Sequence, residues 1–145
     1  MIINYLITNI AAKREANISP DSQIGIANNI TITDVEKDDK FKILKFMFKF
    51  DASFTAAQSE EVGKISIEGI IVHTGENIDG IYKSWKDSKK LEQDVTEEVL
   101  QASLNISILE AMAIAKTLQL PSILPLPKIS SEHAGEEEKH DKKKK

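Results

Sequence analysis

The stretch Phe41–Phe54, FKILKFMFKFDASF, decides how this sequence folds. Successive side chains of a β-strand point to opposite faces. One face of this segment would therefore be strongly apolar and the other mixed and lysine-bearing. The pattern predicts a half-buried antiparallel strand. The apolar side comprises Leu44, Phe46, Phe48, Phe50, Ala52 and Phe54, and the mixed side comprises Ile43, Lys45, Met47, Lys49 and Asp51.

Three further segments are predicted to be strands. Ile2–Ala16 mixes β-branched and polar residues, which indicates an irregular first strand. Gln23–Thr33 carries isoleucines at a period of two and is followed by a polar turn at Glu36–Lys40. Gly63–Thr74 is a further apolar run with Gly69 inside it, where a bulge or a close backbone approach is expected. Together the four segments predict a four-stranded antiparallel sheet.

Two helices are predicted after the strands. Glu76–Trp85 has apolar residues at helical spacing and is expected to be short, and the KDSKK that follows it reads as a polar link. Asp94, with Glu97 three residues later, predicts a capping box at the start of a long helix. Pro121 would end that helix. The fold class is therefore α+β, a sheet followed by a short and a long C-terminal helix.

The long helix is apolar around most of its circumference. A helix of this kind must be covered on more than one side, whereas one four-stranded sheet covers a single side. We therefore predict a homo-oligomer in which one stripe contacts a partner subunit. The predicted interface stripe is Val99, Ala102, Ile106, Leu109 and Ala113, and the second stripe is Leu100, Leu104, Ile108, Ala111, Ala115 and Leu118.

Composition and charge bound the class of protein. The 145 residues carry a net charge of −4 and no cysteine, which excludes disulfides, thiolate zinc sites and cysteine nucleophiles. Residues 132–145 hold five acidic residues and five lysines and read as a disordered tail, so a single domain is expected over residues 1–131. The mild acidity argues against nucleic acid as a partner. Without a signal-like N-terminus or a span free of polar residues, a cytoplasmic protein that does not insert into a membrane is expected.

The sequence offers little catalytic chemistry. It contains none of the phosphate-binding, dinucleotide-binding, zinc-protease or nucleophile-elbow motifs. His73 is expected to be a structural residue at a strand end, and the spacing of the three histidines fits no metal site. Glu97 and Glu98 are explained by the dipole at a helix start. We therefore predict no enzyme activity, no cofactor and no metal.

The phenylalanine ridge is the most distinctive feature and has two interpretations. In the first, Phe46, Phe48, Phe50 and Phe54 are ordinary core packed under the long helix. In the second, part of the ridge lines a groove that binds apolar client segments. Two helical aromatics, Tyr82 and Trp85, are candidates for the rim of the same groove, or for further core anchors.

The order of these elements resembles that of the SecB-type export chaperones, and more closely their small archaeal SecB-like relatives. The resemblance spans roughly residues 2–129. It is carried by ITNIAAKRE (Ile7–Glu15), FKILKFMFKFDASF (Phe41–Phe54), GKISIEGIIV (Gly63–Val72) and EVLQASLNISILEAMAIAKTLQLPSILPLPKI (Glu98–Ile129).

The resemblance implies a non-enzymatic holdase that binds unfolded or nascent polypeptides in apolar surface grooves, with a role in export. It also implies assembly as a dimer of dimers, a tetramer with the long helices packed between two sheets. The cysteine-containing zinc tail of the bacterial members is absent, which places binding to an export motor in doubt. The alternative is an oligomeric adaptor or structural protein that binds one specific partner. A small enzyme of the hot-dog type is disfavoured, because no polar constellation stands out on an apolar face and the long helix follows the strands.

Overall fold

The computed structural model describes residues 1–19, 23–56 and 60–123. Within them the chain forms an antiparallel sheet followed by two helices, which confirms the predicted α+β fold. Each strand is 13 or 14 residues long. The elements, in chain order, are β1 (Ile2–Arg14), β2 (Gly25–Asp38), β3 (Ile43–Thr55), β4 (Glu61–His73), α1 (Ile78–Ser88) and α2 (Gln93–Thr117).

The sheet has the strand order β1-β4-β3-β2, with every neighbouring pair antiparallel. The two most apolar strands, β3 and β4, therefore lie in the centre, and β1 and β2 form the edges. Phe48 of β3 lies opposite Gly69 of β4, which in turn lies opposite Ile7 of β1. This register places the phenylalanine ridge beside the isoleucines of β4 on one face of the sheet.

Both helices cover that same face. Phe46, Phe48, Phe50 and Phe54 are at most 1% exposed. Phe50 and Phe54 belong to a cluster with Leu104 and Ile108 of α2, together with Leu120 and Ile123 beyond it. Phe46 and Phe48 belong to a second cluster, with Ile81 and Trp85 of α1 and Val99 of α2. The core therefore lies between one face of the sheet and the two helices.

Small residues line the side of α2 that packs on the sheet. Ser103, Ser107, Ala111 and Ala115 are buried at spacings of four residues, so they lie on one side of the helix. The hydroxyl of Ser103 donates a hydrogen bond to the carbonyl oxygen of Val99 at 2.7 Å, which satisfies the buried polar atom locally. Short side chains allow the helix axis to approach the large aromatic residues of β3.

An ion-pair network connects α1 to the hairpin formed by β2 and β3. The ammonium group of Lys37 lies 2.8 Å from Asp39 and also contacts Asp79 of α1. Hydrogen bonds to Asp39 and Asp79 raise the pKa of Lys37. The carboxylate of Asp39 lies in the turn between β2 and β3, and that of Asp79 lies in the first turn of α1. Both are exposed, so the network links these two elements at the surface but contributes little to stability.

The structure corrects several predicted boundaries. The expected turn at Glu36–Lys40 begins only after Asp38, because β2 continues through a register shift between Ile32 and Asp34. The bulge moves the helix-side face of β2 from even-numbered to odd-numbered residues and buries Val35. The period-two pattern in the sequence is therefore interrupted before the strand ends. Residues 86–88 of the expected polar link belong to α1.

The predicted capping box is also wrong. The N-cap of α2 is Glu92, which makes no side-chain capping hydrogen bond, and Asp94 lies within the first turn of the helix. An acidic residue in the first turn still interacts favourably with the helix dipole. The other end of α2 comes earlier than Pro121, because Leu118 forms the C-cap and Gln119 adopts a φ of 56°.

Other sequence predictions lie outside the described residues. The charged tail at 132–145 is one of them, and the second Leu-Pro step after Ile123 is another. By length and composition alone, α2 is long and apolar enough to cross a membrane. In this structure one side of α2 packs on the sheet.

We predict that Gly69→Ala destabilises the protein. A Cβ at this position would lie 2.6 Å from the carbonyl oxygen of Leu6 and 2.7 Å from Cζ of Phe48. Overpacking of this kind costs about 1–3 kcal/mol. Gly75→Ala is the matched control, because its Cβ would meet only His73 Cε1, at 3.7 Å. Urea unfolding measures both variants, and equal stability of the two would contradict this account of Gly69.

Candidate functional site

The phenylalanine ridge is not at the surface. All four of its rings are covered by the chain's own helices, so in this conformation they offer no contact area to a client. This burial favours the interpretation of the ridge as ordinary core. Trp85 is also buried, at 8% exposed, and only Tyr82 among the predicted client residues is partly exposed. Client contact by these residues stays a prediction.

The outer side of α2 carries an exposed apolar stripe. Leu109 is 71% exposed and Ala113 is exposed, while Ala102 and Ile106 are half-buried. Val99, the fifth residue of the predicted interface, is fully buried in the core of its own chain. We call Ala102, Ile106, Leu109 and Ala113 the helix stripe. No element of the described chain covers Leu109, and its role in an oligomer stays a prediction.

A second exposed apolar surface lies on β1. We call Ile3, Tyr5, Leu6 and Ile10 the β1 patch, and each is between 46% and 59% exposed. Tyr5 lies opposite the buried Ile71 and so shares the helix-side face of the sheet, whereas Leu6 shares the opposite face with Ile70. An exposed, long and apolar edge strand is a surface on which other chains pair. The sequence analysis missed this patch, although an apolar β1 with few charged residues was its signal.

The other edge strand, β2, forms the margin of the core. Ile30 and Ile32 are half-buried and pack against the same cluster as Tyr82, while Ile26 is 36% exposed. Asn28 lies between Ile26 and Ile30, and its side-chain oxygen is buried and makes no hydrogen bond within the described chain. We call Ile26, Asn28, Ile30 and Ile32 the β2 margin. It combines partly covered isoleucines with an unpaired polar atom.

A charged cluster lies where β4 ends beneath α2. The N-terminal ammonium of Met1 lies 2.8 Å from Nε2 of His73, and that nitrogen lies 3.5 Å from a carboxylate oxygen of Glu98. Burial lowers the pKa of His73, and the positive charge of Met1 lowers it further, while Glu98 opposes both effects. His73 therefore stays neutral at neutral pH and acts as a structural residue, packed edge-on against the ring of Phe46.

Within residues 1–19, 23–56 and 60–123, no group of three or more histidine, aspartate or glutamate residues is placed to hold a metal ion. The candidate functional surfaces of the described chain are the helix stripe, the β1 patch and the β2 margin. Each of them presents apolar side chains, and β1 and β2 also present unpaired strand edges. Such surfaces suit the binding of polypeptide.

A comparison with solved structures places this architecture beside a chaperone. The chain is similar to the Mycobacterium tuberculosis SecB-like chaperone Rv1957, solved in complex with a ChAD peptide from the Rv1956 HigA1 antitoxin. The TM-score is 0.61 over 90% of both chains, at 12% sequence identity. No family model matches the sequence. No curated protein matches it. The chain therefore has the SecB-like fold, as the sequence resemblance predicted.

We predict that His73 makes stability pH-dependent. Its pKa in the folded state lies below the unfolded value of 6.5. As the pH falls, the unfolded chain therefore takes up a proton on His73 before the folded chain does. The stabilisation that is present above the unfolded pKa of 6.5 is lost as the pH falls below that value. Urea unfolding at about pH 7.5 and about pH 5.5 should show a larger loss for the wild type than for His73→Gln. Equal losses for the two proteins would contradict the assignment.

Proposed function

We propose that this protein is a holdase, a chaperone that binds unfolded or extended polypeptides without nucleotide and has no enzymatic activity. The observation that carries the proposal is the SecB-like fold together with the apolar surfaces that its own elements leave uncovered. The solved SecB-like neighbour was captured with a peptide from an antitoxin, which is a precedent for polypeptide binding by this fold. The resemblance to archaeal SecB-like proteins and a cytoplasmic location are parts of this proposal.

Self-association accounts for two of the three surfaces. The helix stripe gives α2 a second apolar side, and a second copy of the chain is the partner that would cover it. The β1 patch is apolar on both faces of an edge strand, which suits pairing with a further sheet. A dimer of dimers, in which helices pack between two sheets, buries both surfaces. This is the tetramer that the SecB resemblance implies.

Clients then need a surface that assembly leaves accessible. The β2 margin lies on the edge of the sheet opposite β1, because the strand order is β1-β4-β3-β2. Tyr82 of α1 packs against the same core cluster as Ile30 and Ile32 of the margin. This placement favours the β2 side of the molecule as the client surface. Delivery of clients to an export pathway is part of the proposal.

The alternative function is an oligomeric adaptor that binds one specific partner. The neighbour's own complex, with a peptide from one named antitoxin, favours consideration of this case. The two functions differ in the breadth of what is bound. A holdase protects several unrelated unfolded chains, whereas an adaptor protects none or one.

The aggregation of several unrelated, chemically denatured enzymes tests the main proposal. At a stoichiometric ratio of chaperone subunit to substrate, we expect the light scattered after dilution from denaturant to fall for each of them, without added nucleotide. An equal amount of serum albumin serves as the control for crowding. Protection of no substrate would overturn the holdase proposal, and protection of only one would favour the adaptor.

The helix stripe is tested with a charge placed in it. Leu109→Glu should dissociate the oligomer, or raise the subunit concentration needed for assembly about tenfold or more, because a buried unpaired carboxylate is costly. Gln101→Glu adds the same charge to an exposed position of α2 outside the stripe and should leave assembly unchanged. Size-exclusion chromatography with light scattering measures the mass of both. An identical mass for the two variants and the wild type would remove the stripe from the interface.

A further inference from the structure

The two edge strands of the sheet differ in the length of regular backbone whose outward N–H and C=O groups have no partner strand. On β1 the register with β4 shifts after Ile2 and again after Ile7. On β2 the register with β3 is unbroken from Gly25 to Ile32. Eight residues at about 3.4 Å each give an edge of roughly 27 Å. The longest regular edge of the described sheet is therefore the first half of β2.

That half of β2 lacks the devices that protect an edge strand. Native edges are blunted by charged side chains, proline, bulges or covering elements. The sequence of residues 25–32, GIANNITI, has no charged residue and no proline. The second half is protected, since it begins with the bulge and contains Asp34, Glu36, Lys37 and Asp38. There the amide of Val35 already donates to the side chain of Asp34, at 2.8 Å.

The hydrogen bonds at the ends of β4 fix which residues of β2 face outward. Met1 and Thr74 exchange two backbone hydrogen bonds, of 2.7 and 2.8 Å, and the amide of Glu15 donates to the carbonyl of Val62 at 2.9 Å. In an antiparallel sheet the N–H and C=O groups of successive residues point to alternate sides. When this alternation is followed through the registers of β4 and β3, the outward-facing residues of β2 are Ile26, Asn28, Ile30 and Ile32.

The outward-facing residues are the same four that form the β2 margin. Their side chains lie on the helix-side face of the sheet, because each pairs with a buried residue of β3. A strand added at this edge would place every second side chain over the same face, where Ile30 and Ile32 are only half-buried. The buried side-chain oxygen of Asn28 has no hydrogen-bond partner within the described chain. Backbone and side-chain requirements thus coincide.

We infer that residues 25–32 of β2 bind an extended polypeptide segment as a fifth, antiparallel strand. The segment has apolar residues at alternate positions and no proline. Asp34 and Glu36 follow the open edge at Ile32, so they favour lysine or arginine over an acidic residue at the end of the segment beside them, which is its N-terminal end in an antiparallel pairing. The inference rests on the proposed polypeptide binding and specifies how a segment is held. In β-addition, main-chain hydrogen bonds provide affinity and alternate side chains provide selectivity.

A labelled peptide tests the pairing directly. The probe is a fluorescein-labelled nonapeptide in which valine and threonine alternate between two terminal lysines, and binding is measured by fluorescence anisotropy on the full chain. In an antiparallel fifth strand, valines over the helix-side face donate their N–H groups to β2, and threonine N–H groups face solvent. N-methylation of the valines should weaken binding by about tenfold or more, and N-methylation of the threonines should leave it unchanged.

Matched proline variants locate the edge. Proline is tolerated on an edge strand where the lost N–H faces solvent, so Asn28→Pro removes a donor to the segment without breaking a bond to β3. Ala12→Pro removes the corresponding outward N–H on β1. Asn28→Pro should weaken peptide binding by about tenfold, and Ala12→Pro should leave it unchanged. Circular dichroism and thermal unfolding determine whether each variant is folded. If either variant is unfolded, the comparison of the valine-methylated and threonine-methylated peptides on the wild-type chain decides the test.

The outcomes separate this inference from the proposed function. If denatured enzymes are protected from aggregation but neither N-methylation nor Asn28→Pro weakens peptide binding, the β2 pairing is overturned and the holdase proposal stands. A loss confined to the threonine-methylated peptide, or to Ala12→Pro, also overturns it. Replacement of the two terminal lysines by glutamates should weaken binding several-fold at low salt, and an unchanged affinity would overturn the charge requirement.

Discussion

The packing of α2 on the phenylalanine ridge is the contact on which the rest of the structure depends. Four aromatic rings in one row of β3 need a cover, and a helix can approach them closely only if its own facing residues are short. Ser103, Ser107, Ala111 and Ala115 meet that requirement. The contact fixes which side of α2 is buried, and therefore which side remains at the surface.

The same packing determines what is available for function. The sheet is wider than the two helices that cover it, so the outer strands are left with apolar residues that the chain itself cannot bury. Isolated exposed apolar residues are ordinary on a protein surface, whereas contiguous ones on an edge strand and a helix indicate partners. The large apolar side chains that the described chain leaves exposed are found mainly on the edge strands and on the outer side of α2. A strand edge offers main-chain hydrogen bonds, which provide affinity with little dependence on side chains, and this agrees with the proposed holdase function.

Much of the fold was predictable from particular patterns. The alternation in Phe41–Phe54 predicted β3 and its buried face correctly, and the apolar circumference of α2 predicted an outer stripe. The predictions failed where geometry interrupts a pattern. The bulge after Ile32 interrupts the period-two pattern, so the second half of β2 was not predicted as strand. The start of α2 at Gln93 has no side-chain capping hydrogen bond, so the predicted capping box was wrong. The apolar residues of β1 were visible in the sequence, but their exposure depends on which elements cover each face of the sheet at this edge.

The sequence by itself determined the class of each element, the buried face of the central strand and the excess apolar surface of the long helix. These properties follow from periodicity, which is local along the chain. Tertiary structure alone decided that the phenylalanines are covered, that Val99 is buried in the core of its own chain, and that β1 and β2 are the edge strands. Strand order and helix placement depend on contacts between residues far apart in sequence. No local pattern records which edge of a sheet is left unpaired.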